Sequence, residues 1–232
     1  MASSSVLKSS FRLVAAAFMI SGYVRVRNLL IDAVISDQYG GHSQYLTMQG
    51  LAIAVATMLT GVVVDLLPFL SFLRVLRRYL FVTAMPLAVV ITSIYWTLLL
   101  LFPKLIVVQD FSQPGSPSSS SEAPKPFYLP LSIDLALHAC PAIALMVDFF
   151  AFESKYTASE VKYAVPAIVA CYCVFYGSWV EYCATKNNGI FPYPFLTHSP
   201  LPGRIAIYVG ASLLAVVSFR FLNWLHPRSV GQ

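Results

Sequence analysis

The stretch LTMQGLAIAVATMLTGVVVDLL, residues 46–67, decides the fold class of this chain. Asp65 is its single charged residue, and Pro68 follows directly after it. A helix of about 20 predominantly apolar residues is long enough to cross the hydrocarbon core of a membrane. The stretch therefore predicts a transmembrane helix that ends before the proline, whose backbone has no N–H to continue it.

Five further apolar stretches of similar length occur along the chain. The complete set of predicted spans is 11–35, 46–67, 79–102, 128–152, 161–184 and 205–225. The first resembles a secretory signal peptide, because Lys8 and Arg12 precede a short apolar run, but the later spans favour a membrane helix. Together the spans predict an all-α polytopic membrane protein, a six-transmembrane-helix bundle that forms one integral membrane domain over residues 1–232.

The composition excludes a large soluble domain. The chain has 232 residues, of which 58% are hydrophobic and 11% are charged, whereas a soluble domain averages about 25% charged residues. Six helices of about 20 residues leave only short connections between them. The net charge of +5 comes from Lys and Arg residues that are dispersed among the loops. This dispersal indicates orientation in the bilayer and no nucleic-acid partner.

Two connecting segments have unusual compositions. Residues 109–126, QDFSQPGSPSSSSEAPKP, are rich in Ser and Pro and predict a flexible loop. Residues 187–204, NNGIFPYPFLTHSPLPGR, contain too much proline for a spanning helix and predict an interfacial or re-entrant loop. That second loop is either an aromatic anchor at the interface or a lid over a lipid cleft.

The distribution of charge indicates an orientation. An even number of spans places both termini on one side of the membrane. If that side is the cytosol, the cytosolic segments hold nine Lys and Arg residues and the opposite segments hold six. Since cytosolic loops carry an excess of Lys and Arg, we expect cytosolic termini. The expected location is the endomembrane system, such as the endoplasmic reticulum, or the plasma membrane.

The four cysteines lie in or beside apolar runs: Cys140, Cys171, Cys173 and Cys183. This placement predicts buried, reduced thiols. A disulfide or an acylated Cys183 is the alternative. The single residue between Cys171 and Cys173 does not match the spacing of a zinc or thioredoxin-type site.

The fourth predicted span carries three ionisable residues on one helical stripe, Asp134, His138 and Asp148. An ionisable residue within a membrane span faces the bundle interior and is a functional hypothesis by default. Side chains lean towards the N-terminus of a helix, so His138 leans towards Asp134, whose carboxylate can hold the imidazole in one tautomer. A purely structural buried pair is the alternative.

The second predicted span carries small residues at spacings of three and four, namely Thr47, Gly50, Ala54, Thr57 and Gly61. Such a stripe is the usual packing face between membrane helices. Thr47 opens the stripe, points inward and belongs to the same half of the membrane as the histidine of span four. A histidine can take the proton of a threonine hydroxyl and make it a nucleophile. Spacing alone favours a packing role for this threonine over a catalytic one.

Several chemistries of membrane enzymes need motifs that the sequence lacks. The chain has four histidines, which lie far apart: His42, His138, His198 and His226. They are too few for a di-iron site, and there is no zinc-protease motif, nucleophile elbow, P-loop or dinucleotide fingerprint. Asp65 and Asp148 lie at span ends, outside the motifs of aspartyl intramembrane proteases. We therefore expect neither a metal nor a cofactor.

Short motifs follow one another in a characteristic order. They are YGGHSQYLT at 39–47 with Asp65-Leu66, Pro86 with Trp96, Phe102 to Leu105, Leu137-His138 with Asp148, Trp179-Val180, Tyr193 to Leu196, His198, and Pro202 to Arg204. Their order and spacing resemble the androgen-induced-gene family of multi-pass membrane proteins. The resemblance covers about residues 11–225.

In animals this family includes hydrolases of fatty acid esters of hydroxy fatty acids, whose catalytic pair is a Thr and a His within the membrane. The family threonine falls in the motif matched by Tyr45-Leu46-Thr47, so the resemblance implies Thr47 as the nucleophile. The family histidine falls in the motif matched by Leu137-His138, which implies His138 as the base. The implied partner is a lipid ester that arrives from the bilayer.

The chain departs from the family pattern at Asp134, where we expect a neutral polar residue, and in the longer segment 109–126. Such a hydrolase also needs a group that stabilises the oxyanion of its intermediate. The candidates for that group or for the lipid cleft are Tyr172, Tyr176, Trp179 and Arg204. Packing and interface anchoring is the alternative interpretation of the aromatic stripe.

Two other functional classes remain open at this stage. One is a non-catalytic lipid-binding or scaffolding protein. The other is a transporter that couples protons through Asp134 and His138, although neither an internal repeat nor a broken helix is visible in the sequence. The sequence does not indicate an oligomeric state.

Overall fold

The structure, a computed structural model, describes residues 2–106 and 128–227, and its regular elements in those ranges are helical. The α-helices are α1 (Ala2–Val26), α2 (Ile31–Asp37), α3 (Leu46–Leu66), α4 (Ser71–Leu101), α5 (Leu131–His138), α6 (Cys140–Phe152), α7 (Val165–Lys186), α8 (Pro194–Thr197) and α9 (Leu201–Leu225). Shorter turns of 3-10 helix lie at Gly41–Gln44 and Pro103–Leu105, and a π-helical turn lies at Glu160–Ala164. The predicted all-α class is confirmed. The predicted loop at 109–126 lies outside the described residues.

Four helices are long and apolar enough to cross a membrane by themselves: α3, α4, α7 with the π-helical turn before it, and α9. Two bent pairs, α1 with α2 and α5 with α6, pass the same test when each pair counts as one span. The described residues therefore contain four to six candidate spans. The predicted six-span bundle corresponds to the case in which both bent pairs cross.

The first predicted span, 11–35, differs from the structure in shape. The helix begins earlier, ends at Val26, and is followed by α2 at an angle of 87°. Arg25 and Arg27 flank the end of α1, and both side chains are exposed. Because charged side chains are costly in hydrocarbon, the apolar helix ends where they occur and the chain turns sideways.

The fourth predicted span, 128–152, is interrupted directly after His138. Helices α5 and α6 meet there at 44°. Pro141 lies in the first turn of α6, and a proline has no backbone N–H with which to continue the hydrogen bonds of α5. The hydroxyl of Thr92 on α4 donates to the backbone carbonyl of His138 at the break. The interruption places the imidazole at the end of a helix, where two elements diverge.

Three other predicted boundaries also shift. Helix α4 begins at Ser71 rather than 79, because two of the arginines that the hydropathy excluded are paired: Arg78 lies 2.6 Å from a carboxylate oxygen of Glu160, and Arg77 pairs with Asp148. Helix α7 continues a π-helical turn that starts at Glu160. The segment 187–204 contains the single turn α8 and the first residues of α9.

The small-residue stripe of α3 is a close-packing face between α1 and α4. A Cβ added at Gly50 would lie 2.5 Å from Cδ1 of Ile91 on α4. A Cβ added at Gly61 would lie 2.7 Å from Nε of Arg77 and 2.9 Å from Cδ of Arg12. Small residues here let neighbouring helices approach closely, as expected for a membrane bundle.

A buried charge cluster joins α1, α3, α4 and the end of α6. It consists of Arg12, Asp65, Arg77, Asp148 and Glu153. Arg12 donates from Nε to one oxygen of Asp148 at 2.8 Å, and Arg77 donates from Nη2 to the other at 2.6 Å. Arg12 also pairs with Asp65, and Arg77 with Glu153. Asp148 shared the predicted polar stripe of span four, but its side chain belongs to this cluster, away from His138.

Candidate active site

His138 is held in one orientation by two neighbours. Its Nδ1 lies 2.7 Å from Oδ1 of Asp134, one turn earlier on α5, and both side chains are buried. The ring of Tyr95 on α4 stacks on the imidazole with centroids 3.4 Å apart and an interplanar angle of 2°. In the neutral imidazole a carboxylate partner requires Nδ1 to carry the proton, so Nε2 keeps its lone pair and can act as a base.

Thr47 lies in the first turn of α3, directly after the 3-10 turn, and only 8% of it is exposed. The chain reaches this point through Gly40, whose φ of 86° favours glycine and where a Cβ would lie 2.5 Å from Sγ of Cys183. Tyr39 exchanges two hydrogen bonds with the side chain of Asn187, at 2.8 and 3.1 Å. The start of α3 is thereby fixed against the end of α7.

Two cavities meet at Thr47. The first, which we call the polar cavity, encloses about 850 Å³ including its open mouth, and its wall includes His42, Thr47, Tyr95, His138 and Tyr193. The second, the apolar cavity, encloses about 1000 Å³ on the same basis and is lined mainly by α4, α7 and α9. Thr47, Tyr95, Ile106 and Tyr193 line both cavities. The structure thus brings Thr47 and His138 to the wall of the same cavity.

The aromatic stripe of α7 ties down the start of α3. Tyr172 donates its hydroxyl hydrogen to Oε1 of Gln49 at 2.8 Å, and Tyr176 donates to the carbonyl of Gln44 at 3.3 Å. Trp179 donates from Nε1 to the carbonyl of Ser43 at 3.2 Å. Tyr172 and Tyr176 line the apolar cavity, whereas Trp179 lines neither cavity. Their polar atoms position the helix that carries Thr47.

Arg204 lies apart from both cavities. Its guanidinium forms a bidentate ion pair with Glu181 at 2.7 and 2.8 Å and donates to the carbonyl of Ser199 at 2.7 Å. These contacts join the start of α9 to α7 and to the segment between them. The structure therefore does not bring Arg204 to Thr47.

The model of the FAR-17a/AIG1-like protein family matches residues 8–227, nearly the whole chain. This chain belongs to the FAR-17a/AIG1-like family. A UPF0641 membrane protein of Schizosaccharomyces pombe (strain 972 / ATCC 24843) is 25% identical over 196 residues, which cover 84% of this chain and 80% of that protein. No solved structure matches the chain.

The family resemblance predicted from the motifs is thus confirmed, and this family member is an integral multi-pass membrane protein. Among the described residues there is no group of three or more His, Cys, Asp or Glu side chains that could hold a metal ion. The four cysteines are free thiols, of which Cys183 is buried and Cys171 is exposed.

Two wall residues of this family member escaped the sequence reasoning. Tyr95 lies next to Trp96, which the motif order did include, but nothing local indicates that its ring covers a histidine on another helix. Tyr193 lies in the Tyr193–Leu196 motif, outside the spans. Burial raises the pKa of its hydroxyl, while interaction with Thr47 acts in the opposite direction. Tyr193 is therefore a neutral phenol beside the threonine.

A second His–Asp pair lies on the polar cavity. His42 lies on the cavity wall, and its Nε2 is 2.6 Å from Oδ1 of Asp32 on α2. His42 is part of the YGGHSQYLT motif at 39–47, but the motif gives no indication of its carboxylate partner. The polar cavity thus presents two histidines, each with a carboxylate partner.

Proposed function

We propose that this protein is a membrane-embedded lipid ester hydrolase in which Thr47 is the nucleophile and His138 is the general base. The observation that carries the proposal is that both residues line one cavity, while Asp134 and Tyr95 hold the imidazole. A nucleophile, a base and a group that orients the base are the parts that acyl transfer requires. Family membership supports fatty acid esters of hydroxy fatty acids as the substrate class.

The proposed reaction has two halves. In the first, His138 takes the proton of the Thr47 hydroxyl through Nε2, and Oγ1 attacks the ester carbonyl. The tetrahedral intermediate collapses to an acyl-enzyme as His138 returns the proton to the departing alcohol oxygen. In the second half, His138 takes a proton from water, the hydroxide releases the fatty acid, and the proton goes back to Thr47. No metal or nucleotide is needed.

The start of α3 offers backbone N–H groups that could stabilise the oxyanion. The N–H groups of Leu46 and Thr47 have no backbone acceptor in the described part of the chain, since the first bonds of the helix come from Met48 and Gln49 to Tyr45. Both N–H groups interact with the hydroxyl oxygen of Tyr193, which an oxyanion would have to displace. N–H groups at a helix N-terminus favour a negative charge. An oxyanion formed on a carbonyl at Thr47 would lie beside these donors, and one such donor is worth about 2.7–4 kcal/mol.

The test combines active-site labelling with turnover. Purified protein in detergent is exposed to a fluorophosphonate probe and, separately, to fatty acid esters of hydroxy fatty acids. We expect Thr47→Ala and His138→Ala to abolish labelling and to reduce turnover by about 10³-fold or more, while Thr47→Ser keeps both. Melting temperatures near that of wild type would show that the variants are folded.

Two matched controls separate chemistry from packing. Thr57 lies on the same α3 stripe, but its hydroxyl donates to the carbonyl of Ile53 at 2.7 Å, so Thr57→Ala should keep full labelling. His198 is exposed, and His198→Ala should likewise be active. Retained turnover in the Thr47→Ala variant would contradict the proposal. Ester binding without turnover in wild type would favour the lipid-binding alternative.

The broken fourth span gives a specific reason to keep one other class in the test. Transporters often place a helix break and ionisable residues at midspan, and α5 ends at His138 beside Asp134. Wild-type protein in liposomes should show no pH-driven flux if it is a hydrolase. A flux abolished by His138→Ala, together with unlabelled Thr47, would favour the transporter.

A further inference from the structure

The apolar cavity extends a long way from Thr47. Along α4 its wall runs from Tyr95 to Thr83, a distance of about 18 Å at the rise of an α-helix. Along α9 it runs from Ile207 to Ala215, about 12 Å by the same measure. The Tyr95 end is shared with the polar cavity at Thr47. A group at Thr47 therefore stands at one end of a long space.

The polar atoms in the wall of this space are already bonded. Ser212 donates its hydroxyl hydrogen to the carbonyl of Tyr208 at 2.8 Å, and Thr83 donates to the carbonyl of Tyr79 at 3.1 Å. Tyr208 itself donates to Oε1 of Glu181 at 3.0 Å. Most other lining residues are aliphatic. Away from Thr47, the wall suits hydrocarbon and has little to attract a polar group.

Ala215 is the last residue of α9 that lines this space, and a buried aromatic ring follows one turn further along the helix. Phe219 is one turn beyond Ala215 on α9, so both lie on the same face of the helix. The Phe219 ring is fully buried and packs against Phe149 and Tyr156, with centroids 6.4 and 5.2 Å apart. No residue of this aromatic group lines the apolar cavity. Along α9 the lining therefore stops at Ala215, one turn before the Phe219 ring.

We infer that the apolar cavity holds the acyl chain of the ester, as a single unbranched hydrocarbon chain, and that Ala215 and Phe219 set the longest chain it accepts. The inference rests on the proposed function of Thr47, because the carbonyl must be held at that end for length to be measured from it. The alcohol part of the ester then occupies the polar cavity. A chain longer than the space either leaves the carbonyl out of reach or must bend out of the cavity.

The test measures kcat/KM for a series of esters that share one alcohol and differ in the length of an unbranched acyl chain. The Ala215→Phe variant should lose about 10-fold or more on the longest chains accepted by wild type and keep its activity on short chains. Ala206→Phe is the matched control, since Ala206 is exposed on the same helix and lines neither cavity. It should keep the wild-type length profile.

Two further variants keep the inference testable if Ala215→Phe does not fold. Ala211→Leu adds bulk one turn nearer to Thr47, at a lining position, and should shorten the accepted chain further. Phe219→Leu removes bulk one turn beyond the last lining residue of α9 and should move the optimum to longer chains. The inference would be overturned by equal losses of kcat/KM at every chain length. It would also be overturned by an unchanged length profile in Ala215→Phe, Ala211→Leu and Phe219→Leu.

A binding measurement separates this inference from the proposed hydrolysis. Displacement of a fluorescent fatty acid by fatty acids of increasing length needs no turnover. If wild type hydrolyses no ester and Thr47 is not labelled, the proposed function fails. A length limit in displacement that shifts in Ala215→Phe and not in Ala206→Phe would still assign the cavity to an acyl chain. Displacement unaffected by chain length or by Ala215→Phe would refute that assignment.

Discussion

The two ends of the bundle treat a buried aspartate differently. At one end, Asp148 is fully buried and accepts hydrogen bonds from Arg12 and Arg77, one on each oxygen. At the other end, Asp134 binds one nitrogen of His138, and the imidazole faces a cavity. Both oxygens of Asp148 are therefore occupied by ion pairs. Asp134 holds a side chain that still has an unused nitrogen.

This difference bears on how ionisable residues in membranes are interpreted. A charged residue in a span is a functional hypothesis by default, and Arg12, Arg77 and Asp148 would qualify as well as His138. None of the charge cluster lines the polar or the apolar cavity. What separates the two ends is whether a reactive atom faces open space. The cluster joins helices, whereas His138 has a ring nitrogen available at a cavity wall.

The largest effect on stability should follow from breaking the charge cluster. Asp148→Asn leaves two buried guanidiniums without their shared carboxylate, a change that costs about 3–5 kcal/mol. The melting temperature in detergent should fall by roughly 10 °C. Asp37→Asn, which changes an exposed carboxylate, is the control and should leave the melting temperature unchanged. Turnover per folded molecule should stay normal in both. If an Asp148→Asn variant had normal stability but lost turnover, the charge cluster would be part of the functional site.

The matching change at the other end should affect rate rather than stability. Asp134→Asn removes the carboxylate that fixes the His138 tautomer, and kcat should fall on the order of 10²-fold with KM little changed. The melting temperature should move by only a few degrees. Asp32→Asn alters the second His–Asp pair of the polar cavity and serves as the matched control, with kcat close to wild type. A normal kcat in Asp134→Asn would mean that the His138–Asp134 pair has only a structural role.

The smallest expected effect is a pH dependence of stability at the edge of the cluster. Burial raises the pKa of Glu153, and the nearby Asp148 carboxylate adds to that shift, while Arg77 and Arg12 oppose it. The folded state therefore binds this proton more tightly than the unfolded state. Its contribution to stability is complete below the unfolded pKa of about 4.3 and is lost as pH rises through the folded pKa.

The substitution Glu153→Gln should remove this pH dependence of stability. Melting curves from pH 4 to 7 should show wild type losing more stability with rising pH than Glu153→Gln, by about 3 °C or less. Asp37→Asn should follow the wild-type curve. Parallel curves for wild type and Glu153→Gln would mean that Glu153 does not contribute to the pH dependence.

The all-α class and the family could be predicted because apolar runs and short motifs can be identified directly in the sequence. The approach of His138 to Asp134 is also local, since the two residues are one helical turn apart. The charge cluster could not be found in this way, because Arg12 and Asp148 are separated by 136 residues. Hydropathy treated its arginines only as orientation signals. The stacking of Tyr95 on His138 and the junction of two cavities at Thr47 likewise depend on how distant helices pack.

The glycine at position 61 links the size of a residue to the electrostatics of the whole cluster. Its missing side chain is the space occupied by the guanidinium of Arg77 and the stem of Arg12. That space lets the guanidiniums and carboxylates of the cluster lie buried, away from water. In a region of low permittivity the attraction within each ion pair is stronger than it would be in water. One added methyl group would move both cations outward towards hydration. A residue without a side chain thus controls how strongly the charged residues of the cluster hold the helices together.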